Sequence, residues 1–468
     1  MSTLSLALRN LMRNRRRSVT TLLAMVIGLS ATLLFGGYAS NSILAMQTGY
    51  VQKLGHLQIQ RKDYFLYGSG NPAAFGIPDY QAIIDLVKAD PLLRPLLTVV
   101  TPKLNLGGIA GNFSAGVSKT VLVAGVLVDE QNQMRLWNDY GSLSYARPLA
   151  LTGSPPDAAV IGTGVARLLQ LCGPLQVPNC HALPSKPAAA GTGQALPADI
   201  GALSALEQAQ AGAAPDGGAE TRIELLAAND HGVPNVASLK VVKAENYGLK
   251  ELDDISVEMH LGHAQRLIFG ADKPQVTAIQ LQLQHSDQIA QARARLTELL
   301  AGALQGADLE LQDFQTLAPI YGQTISFFDS MFGFIATLIG VIVLFTVGNT
   351  MSMAVVERTV EIGTLRAIGL RRSGIRRLFM VEGLLLGGIG VLLGLLMALL
   401  LAFFINHSGL TWTPPGYVYA YPLKSRVWGN APLILGSSLG LILVATLSAW
   451  WPAKRAANLA VVDALRHV

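Results

Sequence analysis

Four apolar runs limit what this chain can fold into. Residues 18–38, 331–355 and 431–451 contain no charged side chain, and 378–405 contains only Glu382. Each is about as long as a helix needs to cross a bilayer, roughly 20 residues. The first run follows Arg9, Arg13, Arg15, Arg16 and Arg17 and stays uncharged to Gln52. A cleaved leader would have a shorter apolar core and a small-residue cleavage site, so this run reads as a retained span with its N-terminus inside. Arginines also crowd the loop after the second run, at Arg358, Arg366, Arg371, Arg372, Arg376 and Arg377, and Lys454 and Arg455 follow the fourth. By the positive-inside rule, segments 1–17, 356–377 and 452–468 lie in the cytoplasm. Both termini are then cytoplasmic, and the long stretch between the first and second spans lies outside. The net charge of +5 is concentrated in those three segments. The membrane surface accounts for it, and no nucleic-acid partner is expected.

The loop 356–377 carries the most specific pattern. From Met353 to Ile368, apolar residues at Val356, Val360, Leu365 and Ile368 are interleaved with Glu357, Glu361 and Arg366, which predicts one short amphipathic helix. A helix held at both ends by spans cannot move alone, so a force applied to it reaches both. Gly363 permits close backbone approach, and Gly369 supplies a left-handed residue to end the helix. The run Glu357-Arg358-Thr359-Val360-Glu361-Ile362-Gly363-Thr364-Leu365-Arg366-Ala367-Ile368-Gly369 resembles the coupling helix of FtsX-like ABC permeases, the mechanotransmission class with LolC/LolE-like and MacB-like members. The resemblance implies that this helix docks in a groove of a separate ABC ATPase, with Glu357, Arg358, Glu361, Ile362, Gly363, Arg366, Ala367, Ile368 and Gly369 as coupling residues. A helix lying only among lipid headgroups would favour Leu and Lys where this one has Glu and Gly. The segment Pro452–Ala457 and the tail Val462–Arg466 resemble the family's C-terminus, except that Val461 and Val462 stand where a proline is usual.

The expected fold class is an α+β membrane protein with four transmembrane helices and a large extracytoplasmic α/β domain between the first and second. Its bounds are 43–320, after span and stalk residues 18–42 and before the stalk and span 321–355. Helical spacing from Ile43 to Leu54 continues the first span as a stalk. Leu57 and Ile59 alternate with polar neighbours as in a strand, Asp79 is placed to cap a helix through Val87, and Lys119–Asp129 reads as a second strand. Ile279, Leu281 and Leu283 alternate with Gln280, Gln282 and Gln284, giving one apolar face. Helical spacing then runs from Ile289 to Leu304, followed by a strand at Leu309 and Leu311, and the strand-helix units next to the two spans pair most economically into one sheet. Family resemblance makes this the porter part of a MacB-like periplasmic core. Val160–Leu169 and Ser238–Leu267 are weaker echoes of that core. Gly162 and Gly164 lack the third glycine and the ribose acid of a nucleotide site, so they mark helix entry after a strand. Segment 172–220 is rich in Ala, Gly and Pro and reads as a flexible surface insertion. Cys172 and Cys180, both in the outer region, are close enough to form a disulfide at its start. No metal site is expected from them and His181, nor from His260 and His263 beside Glu258.

A loop at 406–430 with Pro414 and Pro415 completes the outer side. Glu382, at the inner edge of the third span, reads as an interfacial acid, with a functional intramembrane charge as the alternative, and the glycine pairs Gly383/Gly387, Gly390/Gly394 and Gly436/Gly440 permit close helix crossings. The sequence has no G-x-x-x-x-G-K-[ST] run and no readable catalytic constellation, so the chain is not expected to be an enzyme or to bind a cofactor. ATP and Mg would sit on the partner ATPase. The reading is a permease subunit, in the bacterial inner membrane, that couples a separate ATPase to an outer domain and exports or extracts a lipoprotein or small molecule. A second permease copy or a related chain completes the complex, and an outer, periplasmic partner is possible. The alternatives are an FtsX-like transmitter that activates a cell-wall hydrolase without transport, and a membrane-anchored receptor without an ATPase.

Overall fold

The structure, a computed structural model, describes residues 3–13, 15–68, 70–141, 147–178, 180, 221–413 and 420–460. Most of the expected insertion, His181, Pro414 and Pro415 of the outer loop and the tail from Val461 lie outside the described residues. The chain divides into two units: Met1–Gln47, Pro319–Trp412 and Ala420–Val468 form one, and Thr48–Ala318 with Thr413–Tyr419 the other.

Among the described residues, four helices are long and apolar enough to cross a membrane by length and composition. Together with α1 (Thr3–Arg13), they are α2 (Arg15–Leu54), α8 (Pro319–Glu357), α10 (Arg372–His407) and α11 (Ala431–Ala457). Small residues set their spacing. A Cβ on Gly383 would strike Ala449 and one on Gly387 would crowd Ala445 and Ile442, so this pair lets α10 approach α11 closely. Gly390 and Gly394 do the same against Met25 and Leu29 of α2, where the Ser30 hydroxyl donates to the Gly394 carbonyl at 3.0 Å. Around Gly436 and Gly440 nothing lies within 4 Å, so the third pair makes no crossing here.

The other unit is built on nine strands: β1 (Leu57–Arg61), β2 (Leu97–Asn112), β3 (Val117–Val126), β4 (Ala158–Gly162), β5 (Arg222–Ala228), β6 (Pro234–Glu245), β7 (Ser256–His260), β8 (Ala278–Leu283) and β9 (Leu309–Asp313). Their order is β3-β7-β4-β6-β5-β2-β8-β1-β9, with β2 also paired to β3. At 16 residues, β2 is long enough to serve several partners. Its Lys103–Asn112 stretch runs antiparallel to β3, Ile109–Gly111 to β5, and Leu97–Lys103 to β8. Six strands thereby close a ring, and β8, β1 and β9 extend from it. The strand-helix units on either side of the sheet join as expected, because β1 pairs antiparallel with both β8 and β9. Their apolar face, including Leu57, Ile59, Ile279 and Leu281, packs on α3 (Tyr80–Ala89) through Ile83, Ile84 and Val87 and on α7 (Ile289–Ala301) through Ala292 and Leu296.

Two local expectations need correction. Asp79 occupies the N-cap position of α3 but has φ 49° and makes no side-chain cap bond, whereas capping residues are normally extended. The second strand stops at Val126, and Asp129 lies in the first turn of α4 (Val128–Leu136). All six residues of β8 are buried, its glutamine face included. That face receives the end of α2. The last four carbonyls of a helix have no partner within it; here side-chain amides reach all four, and Val51 also accepts from the Gly55 amide at 2.9 Å. Gln282 donates to Val51 (3.4 Å), Gln131 to Gln52 (3.1 Å), Gln280 to Lys53 (2.9 Å) and Gln58 to Leu54 (2.7 Å). Gln52 returns the favour to α4, donating to the carbonyls of Arg135 and Trp137 at 2.8 Å each. Gly55, at φ 74°, then turns the chain into β1, and a Cβ there would collide with the Leu281 carbonyl. The weaker sequence echo has a packing basis too: β4 leads into α5 (Thr163–Leu168), and Gly162 and Gly164 leave room for the backbone of Asp253 and Asp254. Cys172 and Cys180 are joined in a disulfide with a Cα–Cα distance of 5.7 Å.

His56 follows that turn and is fully buried. Its Nδ1 accepts from the Leu283 amide (2.9 Å), its Nε2 lies 3.1 Å from the Ser286 hydroxyl, and its carbonyl accepts from the Phe314 amide at 3.2 Å. Burial disfavours the charged ring and lowers its pKa to about 4, with Asp139 opposing weakly. The unfolded chain therefore binds more protons than the folded one between about pH 4 and the ordinary histidine value near 6.5. His56 contributes its full stability above that window and loses it as pH falls through it, on the order of 3 kcal/mol. Denaturant unfolding of the detergent-solubilised chain at pH 7 and pH 5 should show about 2 kcal/mol of this loss, and the His56→Gln variant should show a smaller one.

Candidate functional site

The segment with the family pattern is not one helix. Helix α8 continues to Glu357, Arg358 departs from helical geometry at φ −107° and ψ 18°, and α9 runs from Thr359 to Ala367. The expected single helix from Met353 to Ile368 is therefore broken at Arg358. Two local causes are visible. The Thr359 hydroxyl donates back to the carbonyls of Val355 (3.1 Å) and Val356 (2.8 Å), competing with the helical ladder. The Arg358 side chain also turns inward. At the other end, Leu370 N–H donates to Leu365 and Gly369 N–H to Arg366, both at 3.0 Å, with Gly369 at φ 106°. This is a Schellman ending, and it needs the left-handed residue that glycine supplies. Helix α10 then starts after Arg371.

Arg358 meets Glu382 of α10 at 3.0 Å, and the two residues are only 5% and 1% exposed. Asn10 of α1 joins both. Its side-chain amide donates to the same Glu382 carboxylate at 2.6 Å, and its carbonyl accepts from the Arg358 guanidinium at 3.0 Å. A buried charge is tolerated only when paired and hydrogen-bonded, and here three elements supply the partners. Around this node lie two exposed ion pairs, Arg13–Glu361 and Arg17–Glu357, each at 2.5 Å; exposed pairs add little individually. The Arg366 guanidinium donates to the Leu459 carbonyl just beyond α11.

The structure divides the sequence-derived residues into two sets. Of the expected coupling residues, Arg358, Ile362 and Gly363 are buried within the chain. Glu357, Glu361, Ala367, Ile368 and Gly369 are exposed and Arg366 is half-buried. The apolar stripe read from the sequence faces outward. Val360, Leu365 and Leu370 are exposed, and Ile368 is 80% exposed, beside exposed Arg371, Arg372, Arg376 and Arg377. Clustered exposed apolar side chains with a charged rim mark an interaction surface. Sequence reasoning missed the node itself: Glu382 is interior, and Asn10 was not singled out. The available signal was a lone acid in an otherwise uncharged run, which by default marks a functional position.

The FtsX-like permease C-terminal family matches residues 330–461. This chain carries an FtsX-like permease domain. The match contains α9, the node residues Arg358 and Glu382, and the exposed stripe. Among related proteins, the lipoprotein-releasing system transmembrane protein LolC of Neisseria meningitidis serogroup B is 30% identical over 244 residues, 50% of this chain and 57% of that protein. The macrolide export ATP-binding/permease protein MacB of Hyphomonas neptunium is 29% identical over 222 residues, 47% of this chain and 32% of that protein. The ABC transporter permease YtrF of Bacillus subtilis is 35% identical over 144 residues, 29% of this chain and 31% of that protein. The chain thus matches between about a third and somewhat over half the length of these permeases.

Removing one member of a buried pair leaves the other charge uncompensated, which costs about 3–5 kcal/mol, whereas replacing both by apolar residues is often neutral. Glu382→Leu and Arg358→Met should each lower the melting temperature of the FtsX-like domain in detergent. The double substitution should recover most of that loss.

Proposed function

We propose that this chain is the permease subunit of an ABC complex, docking a separate ATPase through the exposed face of α9. The observation that carries the reading is the outward-facing stripe Val360, Leu365, Ile368 and Leu370 inside the family-matched segment. A soluble globular surface has little reason to expose an isoleucine beside four arginines unless a partner covers it. In this reading the four long helices span the inner membrane, both termini and α9 are cytoplasmic, and the nine-stranded unit is extracytoplasmic. ATP and Mg are held by the ATPase. Nucleotide shifts the permease only to the extent that α9 binds the closed and open ATPase differently. A second permease, identical or related, completes the complex. The names of the relatives, a lipoprotein-releasing protein and a macrolide exporter, support export or extraction of an envelope substrate of lipoprotein or small-molecule type.

The test is affinity purification of the tagged full chain from membranes in mild detergent, followed by mass spectrometry and ATP hydrolysis. A stoichiometric ATPase should co-purify with the wild type. Ile368→Asp, which places a charge on an exposed position and should leave folding intact, should reduce its recovery about tenfold or more. Absence of any ATPase, or full recovery with Ile368→Asp and Leu365→Asp combined, would count against this docking face.

A further inference from the structure

The buried charges at the start of α9 converge on one place. Arg358, at the break between α8 and α9, is held by Glu382 from α10 and by the backbone of Asn10 from α1, and Asn10 closes the triangle by donating to Glu382. The exposed pairs reinforce this from outside, linking Arg13 to Glu361 of α9 and Arg17 to Glu357 at the end of α8. A break in a helix is ordinarily a hinge that absorbs motion. This one is locked by a desolvated, bidirectional set of charge-assisted bonds, so it resists bending.

We propose that the Arg358–Glu382–Asn10 triangle is the rigid joint by which displacement of α9 is delivered to α10 and α1, with Glu382 as its positioning residue. The inference rests on the coupling reading given above for α9. Without the joint, α9 would pivot about Arg358 under load while its docking face stayed intact. Loss of the joint therefore separates two events that a merely structural residue would affect together: partner docking persists, and the response of α10 disappears. Ile362 and Gly363, buried beside the joint, then act by packing α9 inward and not by touching a partner.

The only two cysteines are joined to each other, so a cysteine introduced at exposed Leu392 of α10 is a single labelling site. The full chain, purified with the ATPase that accompanies the wild type and placed in lipid nanodiscs, would be labelled there with a nitroxide. Its spectrum would be compared without nucleotide and after trapping with ADP and vanadate. In the wild type, trapping should change the label's mobility. In Glu382→Gln, and in the milder Asn10→Ala, the ATPase should remain stoichiometric and ATP turnover should persist, while the change at Leu392 falls about tenfold. Exchanging the charges, Arg358→Glu with Glu382→Arg, should restore part of it. A full response in both Glu382→Gln and Asn10→Ala with the ATPase bound would overturn the joint. Loss of the ATPase from Asn10→Ala would also overturn it, because the triangle would then be shaping the docking face. A wild type that carries no ATPase would instead bring down the coupling reading on which the joint depends, and the missing band would identify that failure.

Discussion

A buried ion pair governs the architecture of the FtsX-like domain. Arg358 and Glu382 are both removed from water, and neither tolerates that without the other. Their attraction draws the Arg358 side chain inward, which ends α8 at Glu357 and sets the direction in which α9 departs. Because Ile362 and Gly363 lie one turn further on and on the same side, they become the packed face of α9, and the stripe from Val360 to Leu370 is left outside. The exposed apolar surface is thus the face of α9 that its packed residues Ile362 and Gly363 leave uncovered. Asn10 ties α1 into the same arrangement through two hydrogen bonds.

A second constraint acts in the nine-stranded unit, and it too concerns polar groups that must be satisfied out of water. The end of α2 presents carbonyls with no helical partner, and glutamines of β1, β8 and α4 donate to them. An apolar contact at this junction would permit sliding and rotation. Four directional amide bonds, together with Gly55 seated against the Leu281 carbonyl, define one orientation of the last turn of α2 on the sheet. His56 continues this logic, accepting the Leu283 amide in its neutral form.

Much of this was legible in the linear sequence. The apolar runs located all four long helices, agreeing within three residues at four of the eight ends, because length and hydrophobicity are local quantities. Alternation identified β1, β8 and β9 and their pairing. The alternation says nothing of where the other face of β8 lies, and only the carbonyls that accept from Gln280 and Gln282 explain why both are buried. The amphipathic pattern of α9 was also visible. Its polarity was not, since the same spacing fits an inward or an outward stripe.

What the sequence determined by itself was the set of elements: four helices of membrane-spanning length, a strand-rich region between the first two, and a segment with the pattern of a permease coupling helix. Periodicity, length and residue type carry that information within one stretch of chain. Tertiary structure alone decided that Arg358, Glu382 and Asn10 belong together, that β2 serves three neighbouring strands, and that glutamines hold the end of α2. These contacts join residues far apart in the chain, as with the 372 positions between Asn10 and Glu382. They exist because each buried polar group must find a partner wherever the fold brings one within reach.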